Sequence, residues 1–330
     1  MKISYHQYEL LPLLNLNLFA KNNPRAGCLL KVDWENGHVG YSDLHPWPEL
    51  GDDPLSKQLS DLRHGRISPQ IEQSIYLAKR DAVARKKGIS LFDQLPRVKN
   101  NYLISDYTQV KMTDIDQVYS RGFNTLKIKV GRDIAEDIKF VGKILSSGTF
   151  LVRLDFNNLS NWQYFERMMT ELNQTQRSRI EYVEDPFPYD YVAYQEARKL
   201  CRTAVDREFR KVVFDETQKA PVDCIVLKPA IQDVESVISV ALKHRIPLTV
   251  TSYMDHSVGM AHAICLAGEL KKKHDWLILQ AGCLTGRFYQ SDDFSKQVSV
   301  QGPYIQSIAG TGIGFDQEFK QVSWAEVRIK

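Results

Sequence analysis

Five charged residues in the middle of the chain each follow a short apolar run with the pattern of a β-strand. They lie 26, 29, 22 and 22 residues apart, at Lys129, Asp155, Glu184, Asp206 and Lys228. One strand of a parallel barrel and its crossover helix take roughly this length, and barrel active sites form at the carboxyl ends of the strands. The spacing therefore predicts an α/β fold of the (β/α) TIM-barrel type, with these five side chains at its mouth.

The rest of the chain after residue 101 supports this prediction. Short β-branched or aromatic runs alternate with helical patterns at residues 135–146, 162–173, 191–202, 233–244 and 259–272. Such alternation is typical of a parallel sheet with right-handed crossovers. A doubly wound open sheet is the alternative, but it often carries a Gly-rich phosphate loop after its first strand. No GxGxxG or GxxxxGK[ST] motif occurs in the sequence.

Residues 1–97 have a different pattern, with strands first and a helix after them. Asn36-Gly37 separates two strand-like runs and is a strong hairpin signal. A helix is predicted over about residues 68–87, because Ser68 can cap it, Pro69 suits its first turn and Gly88 can end it. Segregated strands and helix predict an α+β domain.

The composition excludes several classes of function. The 330 residues carry 43 basic and 40 acidic side chains, a net charge of +3 that is too weak to indicate a nucleic-acid partner. The five cysteines are scattered without a CxxC pair, which favours reduced thiols and a cytoplasmic location. The apolar stretch at residues 10–19 alternates like a strand rather than a signal peptide. No run reaches the roughly 18–20 apolar residues that span a bilayer, so no membrane partner is predicted.

The strand-end side chains predict a metal site. Lys127 and Lys129 share one face of their strand, because side chains alternate along it. Adjacent strands lie about 4.8 Å apart, so Asp155, Glu184 and Asp206 can converge on one point. Three such carboxylates would repel one another. A Mg²⁺ ion, which prefers oxygen ligands, would relieve this repulsion.

Asp215 competes with Asp206 for the third position, because it also follows an apolar run. Only 13 residues separate Asp215 from Lys228, too few for a comfortable helical crossover, whereas 22 separate Asp206 from it. Spacing therefore favours Asp206. Lys228 ends an apolar run and needs an anionic neighbour if it is buried, which a cluster containing Asp206 would provide.

These motifs together resemble the enolase superfamily and its muconate-lactonizing subgroup. The matching motifs are KxK at residues 127–129, RLDFN around Asp155, VEDP around Glu184, Asp206 itself, LKP around Lys228, and GYSDLHP at residues 40–46. The compact length and the segment TSYMDHSVG at residues 251–259 are most similar to the o-succinylbenzoate synthase family. The chain departs from that family at Arg207, where a Glu is usual. It also departs in its diluted Ser-rich segment.

The resemblance implies a barrel of the modified 7–8 form over residues 98–315, an N-terminal capping domain over residues 1–97, and a segment 316–330 that returns to the cap. It also implies roles for the strand-end residues. Asp155, Glu184 and Asp206 would bind Mg²⁺, with Mn²⁺ as an alternative ion. The catalytic residues would be Lys129 as base, Lys228 as electrostatic partner and Lys127 as a modulator of the Lys129 pKa.

The implied substrate is a small carboxylate, held in part by Ser252, Asp255 and Ser257. The implied reaction is Mg²⁺-dependent syn dehydration of 2-succinyl-6-hydroxy-2,4-cyclohexadiene-1-carboxylate to 2-succinylbenzoate, a step of menaquinone biosynthesis. An N-acylamino acid racemase or a dipeptide epimerase of the same superfamily is the alternative. A barrel that binds ligands without catalysis is the alternative from another class.

Overall fold

The computed structural model describes residues 1–13, 23–35, 37–215 and 220–328. Most of the apolar stretch at residues 10–19 and Asn36 of the expected hairpin turn lie outside the described residues. No helix within the described ranges is long and apolar enough to cross a membrane.

The N-terminal part forms an antiparallel sheet covered by helices. Its strands are β1 (Lys2–Leu10), β2 (Arg25–Asp33) and β3 (Val39–Leu44), and its helices are α1 (Leu55–Arg63) and α2 (Pro69–Lys86). We call these five elements the cap. β2 lies between β1 and β3 in the sheet, and Cys28, Leu30 and Val32 of β2 are fully buried.

Helix α2 begins and packs as the sequence predicts. The hydroxyl of Ser68 accepts a hydrogen bond from the Ile71 backbone N–H at 3.2 Å, and Pro69 occupies the first turn. The helix lies so close to β3 that a Cβ atom on Gly40 would stand 1.9 Å from the carbonyl oxygen of Ala78. Gly40 is therefore required for the close approach of the helix to the sheet.

The predicted parallel barrel is confirmed. Seven parallel strands follow one another in chain order. They are β4 (Tyr102–Ile104), β5 (Thr125–Lys129), β6 (Leu151–Asp155), β7 (Ile180–Glu184), β8 (Thr203–Val205), β9 (Cys224–Leu227) and β10 (Leu248–Val250). Their order excludes the doubly wound alternative, in which the strand order reverses part-way across the sheet.

The eighth position of the barrel is filled by a segment without a continuous strand. Ile278 and Gly282 form isolated bridges to Leu248 and Thr251 beside β10, and Ala281 bridges Asn100 just before β4. The segment therefore closes the barrel between its last and first strands.

Helices surround the barrel and bury its outer face. They are α3 (Met112–Ser120), α4 (Ile134–Ser146), α5 (Trp162–Glu171), α6 (Gln174–Arg177), α7 (Tyr191–Leu200), α8 (Val234–His244) and α9 (Ser257–Lys273). Asp133, Asn161, Asp190 and Asp233 cap four of them through side-chain hydrogen bonds. The largest apolar cluster lies between these helices and the strands.

The C-terminal part adds the short strands β11 (Val300–Gln301) and β12 (Tyr304–Ile305), helix α10 (Asp316–Gln321) and strand β13 (Ala325–Glu326). β13 pairs with β1 of the cap through Ser4 and Glu326. The division of the chain at residues 97 and 315 stays a prediction.

Candidate active site

The register of the barrel sheet brings the predicted strand-end residues together. Lys129 of β5 lies beside Asp155 of β6, which lies beside Glu184 of β7. Glu184 pairs with Ala204 of β8, so Asp206 lies two residues further along on the same face. Lys228 directly follows the carboxyl end of β9. The five side chains thus follow one another across five adjacent strands.

Lys127 contacts two of the three carboxylates. Its ammonium group donates to both oxygens of Glu184 at 2.7 and 2.8 Å and lies 3.0 Å from Asp155. Burial alone would lower the pKa of Lys127, but the charges of Asp155 and Glu184 outweigh burial and raise it well above its usual value. Lys127 therefore stays charged.

Lys228 makes the matching contact on the other side. Its ammonium group donates to Asp206 and lies 5.6 Å from the centre of the Tyr253 ring. Asp206 is buried in the site, whereas Asp215 is exposed. Of the two competing residues, only Asp206 lies with the other strand-end groups. The segment before Asp215 is not a strand, because Phe209–Lys211 forms a 3₁₀ turn there.

Lys129 differs from the other two lysines in its electrostatics. Burial lowers its pKa to about 8. The charge of Asp155 opposes this shift, while Lys127 and Lys228 add to it. A neutral amine is thus available on Lys129 near neutral pH, as a general base requires.

The carboxylates match a hard divalent cation in donor chemistry. Burial, followed by the charge of Asp155, raises the pKa of Glu184 to about 7. In the described parts of the chain, no three His, Cys, Asp or Glu side chains are already arranged around a common metal position. The ammonium groups of Lys127 and Lys228 lie against these carboxylates in the structure. Oxygen-only donors on adjacent strands fit Mg²⁺.

A cavity of about 90 Å³, which we call the inner cavity, lies at these strand ends. Lys127, Lys129, Asp155, Asp206 and Lys228 line it. Its other wall residues were not predicted from the sequence: Trp47, Leu50, Asn101, Leu103, Asn157, Thr251, Tyr253, Met254, Gly282, Leu284 and Thr285. Trp47 and Leu50 belong to the segment that follows β3. No local sequence pattern predicts that this segment reaches the barrel mouth.

The three predicted substrate contacts are not equivalent. Ser252 lines the inner cavity, and its hydroxyl lies 2.8 Å from that of Thr285. Asp255 and Ser257 are buried but do not line this cavity. The chain turns at Met254, whose φ is +52°, and directs Asp255 away from the strand ends towards Asp43 of the cap. The positions of these two residues do not support a direct contact with substrate.

His256 is not part of the inner cavity either. Its ring is buried, contacts Tyr8 with centroids 4.6 Å apart, and lies 3.0 Å from Asp292. It therefore links the barrel to the cap and to a later loop.

Comparison with known proteins identifies the family. Residues 3–84 match the model of the o-succinylbenzoate synthase N-terminal domain, and residues 112–320 match the enolase C-terminal domain-like model. Over 330 residues, all of both chains, the sequence is 47% identical to o-succinylbenzoate synthase of Bdellovibrio bacteriovorus. The chain belongs to the o-succinylbenzoate synthase family. It is a lyase of the enolase superfamily, as its motifs predict.

Further relatives agree with this family. The o-succinylbenzoate synthase of Thermosynechococcus vestitus is 25% identical over 175 residues, which cover 50% of this chain and 54% of the relative. Among solved structures, the L-Ala-D/L-Glu epimerase from Bacillus subtilis superposes with a TM-score of 0.77 at 17% identity, over 95% of this chain and 98% of that one. A dipeptide epimerase from Enterococcus faecalis, complexed with Mg and the dipeptide L-Leu-L-Tyr, superposes with a TM-score of 0.78 at 18% identity, over 95% of this chain and 98% of that one. These structures support the fold alone.

Proposed function

We propose that the protein converts 2-succinyl-6-hydroxy-2,4-cyclohexadiene-1-carboxylate to 2-succinylbenzoate and water, as a step of menaquinone biosynthesis. The reaction breaks the C–H bond next to the ring carboxylate and the C–O bond of the adjacent hydroxyl group. The ring becomes aromatic. Membership of the o-succinylbenzoate synthase family supports this choice of substrate.

The observation that carries the proposal is the arrangement of two lysines, the buried Lys129 and the partly buried Lys228, around the strand-end carboxylates. Lys129 and Lys228 both line the inner cavity, on strands that are separated by β6, β7 and β8. Asp155, Glu184 and Asp206 come from those intervening strands. A substrate whose carboxylate lies near these acids would have a lysine on either side of its α carbon.

Each lysine then has a distinct task. Lys129 removes the α proton and returns it to the departing hydroxide, so the proton and the hydroxide leave as water from one face of the ring. Lys228 supplies positive charge to the enediolate that forms between these two steps. Lys127 keeps its charge through Asp155 and Glu184, and this charge helps to lower the pKa of Lys129.

Asp155, Glu184 and Asp206 would hold a Mg²⁺ ion. When bound, this ion supplies positive charge to the substrate carboxylate and makes the α proton more acidic, as in other enolase-superfamily sites. The Mg noted for the E. faecalis epimerase, a protein of the same fold, is consistent with this assignment. Movement of the Lys127 and Lys228 ammonium groups from the carboxylate oxygens would accompany binding.

The test is the ultraviolet absorbance of the diene substrate during incubation with the purified protein, with Mg²⁺ and then with EDTA. We expect rapid loss of the diene signal that requires the metal. Absence of turnover would contradict the substrate assignment. Deuterium exchange into N-acylamino acids and dipeptides would then test the racemase and epimerase alternatives.

The thermal midpoint of unfolding gives a readout of metal binding that does not depend on catalysis. A ligand that binds only the folded state raises this midpoint by mass action. We expect Mg²⁺ to raise the midpoint of the wild type and to have less effect on Asp155→Asn. An exposed control, Asp215→Asn, should respond like the wild type. No response to Mg²⁺ in the wild type would contradict the metal assignment.

A further inference from the structure

The inner cavity opens into a second, larger cavity that no assigned role explains. This outer cavity has a volume of about 670 Å³ and lies between the cap and the barrel. The two cavities share five wall residues: Leu50, Asn157, Asp206, Lys228 and Tyr253. A substrate that reacts at the strand ends can therefore extend a side arm into the outer cavity.

Arg207 lies in the outer cavity, next to the shared wall. It follows Asp206, lines the outer cavity, and donates through its guanidinium group to the backbone oxygen of Asn157 at 3.3 Å. Asn157 and Asp206 both belong to the shared wall. The Arg207 backbone N–H is held separately by Asp185 at 2.9 Å, so the position of the main chain does not depend on the side chain.

The acidic residues on the cap and helix sides of the outer cavity have partners of their own. Asp52 accepts from the Trp47 backbone N–H, from Gln70 at 2.7 Å and from the Tyr253 hydroxyl at 3.1 Å. Asp53 pairs with Lys57 at 2.6 Å. Asp233 caps α8. These carboxylates are thus held by groups other than Arg207, which is the arginine of the outer cavity that contacts the shared wall.

We propose that Arg207 binds the carboxylate at the end of the succinyl chain and thereby selects dicarboxylates. This inference rests on the proposed function, in which the substrate carries one carboxylate on the ring and a second one on a short flexible arm. With the ring carboxylate near the strand-end acids, an arm that passes the shared wall would enter the outer cavity, which Arg207 lines. A guanidinium group suits a terminal carboxylate, because its donors match both carboxylate oxygens.

The test compares two ligands on three proteins by isothermal titration in the presence of Mg²⁺. The ligands are 2-succinylbenzoate and 2-butanoylbenzoate, which has a methyl group where the tail carboxylate stands. The proteins are the wild type, Arg207→Gln and Arg210→Gln. Arg207 and Arg210 both line the outer cavity, but it is Arg207 that donates to Asn157 of the shared wall, so Arg210→Gln is a control that removes the same charge at a neighbouring position.

We expect Arg207→Gln to weaken binding of 2-succinylbenzoate about tenfold to a hundredfold, the range for a charge-assisted hydrogen bond. Binding of 2-butanoylbenzoate should stay unchanged. Arg210→Gln should bind both ligands like the wild type. In turnover, Arg207→Gln should raise KM more than it lowers kcat, because the tail does not react. Arg207→Lys keeps the charge without the fork of donors and should recover part of the lost affinity.

Three results would overturn the inference: an equal loss for both ligands in Arg207→Gln, no loss for either, or a loss in Arg210→Gln as large as that in Arg207→Gln. Any of these with a wild type that dehydrates the diene would leave the proposed function standing. A wild type that neither turns over the diene nor binds 2-succinylbenzoate would remove the proposed function itself. Circular dichroism would verify that each variant is folded.

Discussion

Replacing Asp255 with Asn would remove one carboxyl group from a buried pair between the barrel and the cap. Its partner Asp43 accepts hydrogen bonds from the Tyr8 hydroxyl at 2.6 Å and from the His256 backbone N–H at 3.1 Å. The pair is close, because a Cβ on Gly259 would lie 2.5 Å from an oxygen of Asp255 and 2.9 Å from one of Asp43. Burial, followed by the charge of Asp255, also raises the pKa of Asp43 well above its usual value, so this buried pair retains a proton that Asp255 helps to hold.

The size of the effect follows from the pKa of Asp255. Burial raises this pKa from 3.8 to about 7. A raised pKa stabilises the folded protein below pH 4, and this stability is lost as the pH rises towards 7. One pKa unit corresponds to about 1.4 kcal/mol, so the wild type loses about 4 kcal/mol over this range. An Asn side chain does not ionise and avoids this loss.

The assay is urea unfolding of the wild type and Asp255→Asn at pH 5 and pH 8. From pH 5 to pH 8, we expect the free energy of unfolding of the wild type to fall by about 2–3 kcal/mol more than that of the variant. Asp275→Asn is the control, because its side chain is 81% exposed, and it should stay within about 0.5 kcal/mol of the wild type. His45, whose ring lies 3.0 Å from the Tyr8 hydroxyl, does not contribute to this difference. Burial lowers its pKa to about 3, so the ring stays neutral from pH 5 to pH 8.

Equal pH dependence of the wild type and Asp255→Asn would refute this reasoning, because it would mean that Asp255 does not hold a proton in the folded state. The same variant also tests the predicted substrate contact. Asp255 does not line the inner cavity, so the KM of the variant should match that of the wild type. A large increase in KM would restore Asp255 as a substrate contact.

Two further predictions concern packing and the third carboxylate. Gly40→Ala should destabilise the protein by about 1–3 kcal/mol in urea unfolding, because the added methyl group meets the backbone of α2; an unchanged midpoint would mean that the helix moves freely. Replacing a residue that only supports a metal ligand typically lowers activity roughly 10- to 100-fold. Asp206→Asn should lower turnover by more than this, whereas Asp215→Asn should keep the turnover of the wild type. The reverse result would make Asp215 the third ligand.

The barrel and its strand-end residues were predictable because both follow from local periodicity. An apolar run with one charged residue at its end recurs at the length of one strand and helix, and parallel strands bring those ends to one edge. The choice of Asp206 over Asp215 used the same spacing. The structure brings Asp206 into contact with Lys228 and leaves Asp215 exposed.

The remaining wall of the site was not predictable, because it depends on contacts between distant segments. Trp47 donates from its indole N–H to the backbone oxygen of Tyr253 at 2.9 Å, across 206 residues of sequence. Thr285 follows the irregular segment that fills the eighth barrel position, where no strand pattern marks it. Ser257 does not line the inner cavity, because α9 begins there and the residue belongs to a buried helix.

The central claim is that Lys129 removes the proton next to the substrate carboxylate. The most direct measurement is turnover of the diene substrate, with Mg²⁺, by the wild type and by Lys129→Ala of matched circular dichroism. The account predicts rapid loss of diene absorbance with the wild type and a loss of activity of about a thousandfold or more in the variant. Substantial residual turnover in a folded Lys129→Ala protein would contradict the claim and remove Lys129 from the role of base.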